Sequence, residues 1–161
     1  MEGAQGGAGP DTLTGNVNAN NLFGQGGNDT LDGQEGADGL DPGPGQDTLN
    51  GGEGFDIASY FFRGASVTLS LDNAANDGEA GEGDNIGREG DVEGLQGGRG
   101  GDTLTGNAVF NRLNGQGGGD GITSRDEGPD QVLCGEGTDT VTADSEALDP
   151  TGTDCETVLR G

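Results

Sequence analysis

The sequence predicts an all-β fold, a parallel β-solenoid with 18 residues per coil, on three observations drawn from residues 6–59. Six consecutive nine-residue units stand there in strict register: GGAGPDTLT, GNVNANNLF, GQGGNDTLD, GQEGADGLD, PGPGQDTLN and GGEGFDIAS. Most units open on Gly and small polar residues, which suit tight turns at positive φ and close backbone approach. Each unit closes on x-L-x or x-A-x, too short for a helical turn and long enough for a short strand with one side chain inward. One unit turns and runs, so two close a flattened coil. Alternate units then lie on neighbouring coils about 4.8 Å apart, the spacing of strands in a sheet.

The sixth position of every unit is a carboxylate or carboxamide (Asp11, Asn20, Asp29, Asp38, Asp47, Asp56), and the eighth is apolar (Leu13, Leu22, Leu31, Leu40, Leu49, Ala58). Coiling sorts the acids into two columns, Asp11/Asp29/Asp47 and Asn20/Asp38/Asp56. Carboxylates stacked at that spacing repel by roughly 1 kcal/mol per adjacent pair in water and about 3.5 kcal/mol at an effective dielectric near 20. A cation has to lie between them. Carboxylates and glycine-turn carbonyls are hard oxygen donors that suit Ca²⁺ better than the strictly octahedral Mg²⁺. With no His and only two Cys, zinc and copper lack their usual ligands.

The units resemble the hemolysin-type calcium-binding nonapeptide G-G-x-G-x-D-x-U-x of the RTX family, over residues 6–59 and most of 79–142. The resemblance implies a parallel β-roll with Ca²⁺ held in the turns.

Four segments follow along the chain: a first array at 1–59, a β spacer and acidic loop at 60–83 within the same solenoid, a second array at 84–142, and a cap at 143–161. In the spacer, Tyr60, Phe61 and Phe62 are expected to thicken the core, Val67 to Leu71 alternate as a half-buried strand does, and residues 72–83 read as a solvated acidic loop. The period then returns. Asp84, Glu93 and Asp102 stand nine apart, and residues 102–120 repeat 11–29 with 13 identities in 19. Asn111 takes the place of Asn20, Asp120 that of Asp29, and after one extra residue Asp130 and Asp139 continue the series. Asp84, Glu93, Asp102, Asp120, Asp130 and Asp139 thus join the metal-ligand candidates; Asn20 and Asn111 offer an amide oxygen but no charge. Near the end, Cys134 and Cys155 stand about one coil apart and are read as a disulfide that staples the cap, with two free thiols as the alternative. A similar pairing of a C-G unit with a later C-E-x-V occurs in terminal segments of RTX-like secreted proteins.

Composition bounds the function. Apolar residues make up 27% of the chain and the net charge is −24, which puts the metal-free chain near the disordered class. Calcium is therefore expected to fold it. Such acidity argues against nucleic acid and anionic membrane surfaces, and no apolar run is long enough to span a bilayer. Met1-Glu2-Gly3 opens directly on the repeats, as expected of a mature segment or fragment. Weak calcium sites stay filled outside the cell, so an extracellular or cell-surface location is expected.

Three functions are weighed. The first is a structural calcium-binding roll that stiffens a larger protein, surface layer or filament, with end-to-end self-association through the open first coil. The second is calcium-dependent ice binding or adhesion, suggested by Thr12, Thr30 and Thr48 at 18-residue intervals but not continued past Thr103, where Gly121 follows. The third is the repeat portion of a secreted enzyme or toxin. No nucleophile, base and orienting group can be assembled within the chain itself, and no enzyme is predicted here. Asn28-Asp29-Thr30 fits the N-glycosylation pattern but is explained by the repeat.

Overall fold

The computed structural model describes residues 2–87, 91–145 and 149–160. Met1, residues 88–90 of the expected second array, and residues 146–148 and Gly161 of the expected cap lie outside them.

Strands succeed one another along the whole chain, and no helix occurs among the described residues. The first half carries β1 (Glu2–Gln5), β2 (Thr12–Asn16), β3 (Asn20–Phe23), β4 (Thr30–Gly36), β5 (Gly39–Asp41), β6 (Thr48–Gly54), β7 (Ile57–Ser59), β8 (Val67–Ser70) and β9 (Ala75–Glu79). The second carries β10 (Asp84–Ile86), β11 (Gly94–Gln96), β12 (Thr103–Thr105), β13 (Arg112–Asn114), β14 (Gly117–Gly118), β15 (Gly121–Ser124), β16 (Gln131–Leu133), β17 (Glu136–Gly137), β18 (Thr140–Ala143) and β19 (Thr157–Arg160). Each nine-residue unit places its x-L-x segment in a strand, and alternate units pair in parallel. Thr12, Thr30 and Thr48 are direct neighbours across β2, β4 and β6.

A seven-stranded sheet in the order β1-β3-β5-β7-β11-β13-β16 is parallel throughout, and a ten-stranded sheet runs β19-β18-β15-β12-β8-β9-β10-β6-β4-β2. Between them lies one thin core of single inward side chains: Leu22, Leu40, Ala58, Leu95, Leu113 and Val132 from the first sheet, Leu31, Leu49, Ile86, Leu69, Leu104, Ile122 and Val141 from the second. Each full burial contributes about 2 kcal/mol. At the two ends the packing thins, and Ala4, Leu13, Cys155 and Val158 are only half-buried.

The coil length is not constant. Corresponding acids are 18 residues apart in the first array, 37 across the spacer, 18 and then 19 in the second array and 17 at the last step. Glycine makes the tight corners possible: Gly43 has φ +78° and Gly135 φ +99°, and a Cβ on either would collide with the carbonyl of Gln25 or Gln116 on the coil before.

Two expectations for the spacer need correction. Tyr60 is buried as expected, but Phe61 and Phe62 are 42% and 76% exposed. The chain turns immediately after β7, and the turn brings a single ring inside. Residues 72–83 are not merely a solvated loop, because β9 inserts antiparallel to both β8 and β10. A buried carboxylate supplies the reason: Asp77 accepts the N–H groups of Ser70 (2.6 Å) and Ile86 (3.2 Å), so it binds the hairpin to the strands on either side.

At the C-terminal end Cys134 and Cys155 form a disulfide with Cα atoms 5.2 Å apart, and β19 closes the ten-stranded sheet beside β18. Closing a loop of that length contributes about 3 kcal/mol by chain-entropy arithmetic.

Candidate metal centre

The sixth-position acids sit at the strand entrances, and the parallel pairing stacks them one per coil. In one column the N–H of Asp11 donates to Asp29 Oδ1 (2.8 Å), that of Asp29 to Asp47 Oδ1 (2.7 Å) and that of Asp47 to Asp84 Oδ1 (2.8 Å). In the other, Asn20 donates to Asp38 (2.7 Å), Asp38 to Asp56 (2.7 Å) and Asp56 to Glu93 Oε2 (2.9 Å). Past the spacer the same ladder links Val67, Asp102, Asp120, Asp139 and Glu156, and links Asn111, Asp130 and Asp149. Every rung points the same way, from a backbone donor to the carboxylate or carboxamide-column acid of the following coil.

Apart from Asp11, which heads its column and receives no rung, one oxygen of each acid is therefore used, and the fate of the second divides the candidates. The Oδ2 atoms of Asp29, Asp38, Asp47, Asp56, Asp120, Asp130 and Asp139 are buried and meet no donor. Elsewhere the second site is satisfied by the protein itself. Asp11 Oδ2 takes the N–H of Gly7 (2.6 Å), Asp102 Oδ2 that of Gly98 (2.7 Å), and Asp84 Oδ2 the hydroxyl of Tyr60 (2.8 Å). The amide oxygens of Asn20 and Asn111 accept from Asn16 (2.7 Å) and Asn107 (2.6 Å).

Burial raises the carboxyl pKa values. Desolvation pushes Asp47 up to about 7 against the N–H of Asp29, with the charges of Asp84, Asp29 and Glu82 adding to it. Asp130 is likewise pushed to about 7, and Asp56 and Asp120 to about 6. Asp38, Glu93 and Asp102 are raised for the same first cause. A buried anion that lacks both a donor and a counter-charge is costly.

Backbone carbonyls complete the arrangement. A Cβ on Gly33 would stand against Asp38 Oδ2 and the carbonyl of Gly51; one on Gly24 against Asp29 Oδ2 and the carbonyl of Pro42; one on Gly115 against Asp120 Oδ2 and the carbonyl of Cys134. The orphan oxygens of Asp29, Asp38 and Asp120 thus share the opening of their units with a carbonyl of the next coil. Among the described residues no three acidic, His or Cys side chains gather into a metal-binding group, so each turn offers one carboxylate with carbonyls around it. Such a donor set is all oxygen and fits a hard cation.

Four residues of this network escape sequence reasoning: Asp149 and Glu156 as terminal rungs, Tyr60 as a donor, and Asp126, whose buried Oδ2 is also unpartnered. Asp149 follows Asp130 by the same 19-residue step that separates Asn111 from Asp130, a signal that a fixed period of nine conceals. The threonine row also runs further than the sequence suggests. After Thr48 comes Asn85, and beyond β9 the row resumes at Thr68 and Thr103, breaks at Gly121 and continues through Thr140 and Thr157.

A family model for the RTX calcium-binding nonapeptide repeat matches residues 5–40 and 43–58, in four copies. These residues match the RTX repeat. Repeats of this family bind Ca²⁺, and the roll they build is a structural unit with no catalysis of its own. Asp29, Asp38, Asp47 and Asp56, with their orphan oxygens, all fall within the matched RTX segments. No curated protein matches the chain. Among the described residues no helix is long and apolar enough to cross a membrane.

Proposed function

We propose that the chain is a secreted β-roll that folds on meeting extracellular calcium and stiffens a larger protein, surface layer or filament by stacking head to tail. The observation that carries the reading is the set of buried Oδ2 atoms without a donor at Asp29, Asp38, Asp47, Asp56, Asp120, Asp130 and Asp139. These residues, with the turn carbonyls beside them, would hold Ca²⁺, which supplies the positive charge that stacked carboxylates lack. Asp84, Asp102 and Asp11 then serve as rungs of the ladder more than as ligands, since the protein already meets their second oxygens. Because neighbouring coils share each ladder bond, filling propagates along the roll.

Location follows from affinity and covalent chemistry. Sites of one carboxylate each belong to the weak class that fills at extracellular calcium levels, and the Cys134–Cys155 disulfide belongs to oxidising compartments. Stacking follows from the edges. β1 and β2 end the two sheets on one side and leave edges open, and on the other side β19 is open while Thr151 bridges Val132 of β16. The one-way ladder makes those ends unlike, so a joint between copies is heterologous and repeats along a line.

The test is a CaCl₂ titration of EDTA-stripped protein followed by far-ultraviolet circular dichroism, with Mg²⁺ as control and light scattering in parallel. A sharp coil-to-β transition near millimolar Ca²⁺, absent with Mg²⁺, is expected, with scattering rising alongside it. A full β spectrum in EDTA would sink the calcium reading; flat scattering would sink the stacking alone. A second reading, calcium-dependent ice binding, draws on the resumed threonine row. Inhibition of ice recrystallisation that disappears in Thr103→Val would favour it.

A further inference from the structure

The outer face of the seven-stranded sheet is not uniform. Gly39 and Gly94 flank Ile57 in register, and each removes a side chain from the row. A Cβ at Gly39 would approach Asn21 Oδ1 to 2.8 Å, and one at Gly94 would meet Ile57 Cγ1 at 2.7 Å. Beside this gap the chain leaves β7, buries Tyr60 and sets Phe61 and Phe62 edge to face, ring centroids 5.3 Å apart, in the solvent.

A recess of about 380 Å³ results, lined by Phe23, Ile57, Phe61 and Phe62 together with Asn21, Asp41, Ser59 and Gln96 around Gly39. A second recess of about 420 Å³ shares Phe23, Asp41 and Phe62 with it and adds Gln5 and Gln25. Both lie within the size range of small-ligand sites. Three of the five Phe in the chain meet at this one place, and all three are exposed. Core packing does not account for them.

The lining selects the ligand. Around the aromatic rings stand amides, one hydroxyl and one carboxylate, and no cationic side chain lines either recess. Asp41 and the net charge of −24 repel anions. A purely apolar guest would cover the polar ends of Asp41 and Gln96 and offer them no hydrogen bond. A pyranose answers both demands: its C–H face packs on the electron-rich face of an aromatic ring, and its hydroxyls exchange hydrogen bonds with amides and a carboxylate. The Ser59 hydroxyl already donates to Gln96 Oε1 (3.1 Å), which fixes the orientation of that amide.

We propose that this cleft binds a neutral polysaccharide, with sugar rings stacked on Phe23 and Phe62 and hydroxyls held by Asp41 and Gln96. Two adjoining recesses with shared walls suit consecutive sugars of a chain better than one free monosaccharide. The site requires the roll to be folded, and so rests on the calcium reading.

Affinity electrophoresis of the calcium-loaded protein tests it, in native gels containing soluble β-1,3-glucan, hydroxyethyl cellulose, galactomannan or dextran, with carboxymethyl cellulose as the anionic control. Retardation in at least one neutral gel and none in the anionic one is expected. Phe62→Ala and Phe23→Ala should each weaken it at least tenfold, and Gly39→Val should do so by filling the recess. Far-ultraviolet circular dichroism in calcium shows that each variant folds, and Phe62 is exposed enough for its loss to leave the spectrum unchanged. No retardation in any neutral gel, or retardation that persists in the Phe23→Ala/Phe62→Ala double variant, overturns the proposal. So does self-association of the wild type that Phe62→Ala abolishes, which would assign the cleft to a second copy of the chain. Failure of the calcium transition itself is seen separately in the spectrum and bears on the roll instead of the cleft.

Discussion

Asp47 and Asp84 are neighbours in one column, and each carries a buried carboxylate, yet they are completed differently. Asp47 accepts one backbone N–H and its other oxygen meets nothing. Asp84 accepts the N–H of Asp47 on one oxygen and the Tyr60 hydroxyl on the other. Close by, the Arg63 guanidinium bonds the carbonyl of Gly43 and reaches Glu79 at 3.3 Å and Glu82 at 3.1 Å. One coil leaves an oxygen without a donor; the next gives it a phenol, with a guanidinium close by, and burial still raises the Asp84 carboxyl to about 6. The comparison teaches that stacked carboxylates need not all be completed alike, and that the spacer, although it breaks the repeat, meets with its own side chains an oxygen that the arrays leave open.

The contrast breaks hardest at the orphan oxygens. Asp47→Ala should raise the calcium midpoint of the β transition at least about tenfold, the scale on which metal sites respond to losing a supporting group. Tyr60→Phe should leave that midpoint and the number of bound ions unchanged. It instead strands Asp84 Oδ2, at a cost of about 1–3 kcal/mol read by urea denaturation in saturating calcium. Equal calcium midpoint shifts for the two variants would erase the distinction.

Acidity sharpens the same comparison. In the metal-free roll Asp47 and Asp130 titrate near 7 and Asp56 and Asp120 near 6, against 3.8 for an ordinary Asp. The folded state therefore binds these protons more tightly than the unfolded chain does, and proton-linked stability is complete below about 3.8 and lost as pH rises through 6 to 7. In EDTA, β content should increase as pH is lowered from 8 through 6. In calcium the sign reverses, because protons compete with the ion, and the calcium midpoint should rise over the same window. A metal-free spectrum that does not change with pH would mean that charge on the buried carboxylates, Asp77 and Asp84 at about 6 among them, is not what opposes folding.

The smallest effect concerns the turns. Gln34 holds φ +79° on an exposed corner, where a side chain costs about 1–2 kcal/mol and glycine nothing. Offset by the greater freedom of an unfolded glycine, Gln34→Gly should stabilise the calcium-loaded roll by about 0.5–1 kcal/mol in urea denaturation.

Much of this was legible in the residues because a strict period does two jobs. It spaces Leu31, Leu40 and Leu49 so that each faces inward, and it spaces Asp29, Asp38 and Asp47 so that each lands in a column. Where the step changes, legibility goes. Asp149 and Glu156 follow steps of 19 and 17 residues and look like tail. β9 has no apolar alternation to announce it, since Asp77 is what its centre buries. Phe61 and Phe62 read as core because the run around them is apolar, but a turn of two residues leaves them no interior to enter. The division among the acids was invisible for a different reason. Gly7 and Gly98 reach Asp11 and Asp102 from four residues earlier, whereas at that same place Gln25, Gln34, Gly43, Gly52, Gln116 and Gly135 stand at positive φ before orphan acids, and Tyr60 reaches Asp84 from 24 residues away.

Tyr60 has one more use, an optical one. It is the single tyrosine in a chain without tryptophan, so all near-ultraviolet phenol absorption and emission come from one ring in the middle of the roll. Its hydroxyl donates to a carboxylate, and burial first, with the charge of Asp84 behind it, holds its pKa well above the usual value. Excitation makes a phenol more acidic, and Asp84 stands ready to take the proton, so the assembled coil should emit partly as tyrosinate and the opened coil as ordinary tyrosine. The colour of that emission reports whether the centre of the molecule is closed, independently of what the two arrays are doing.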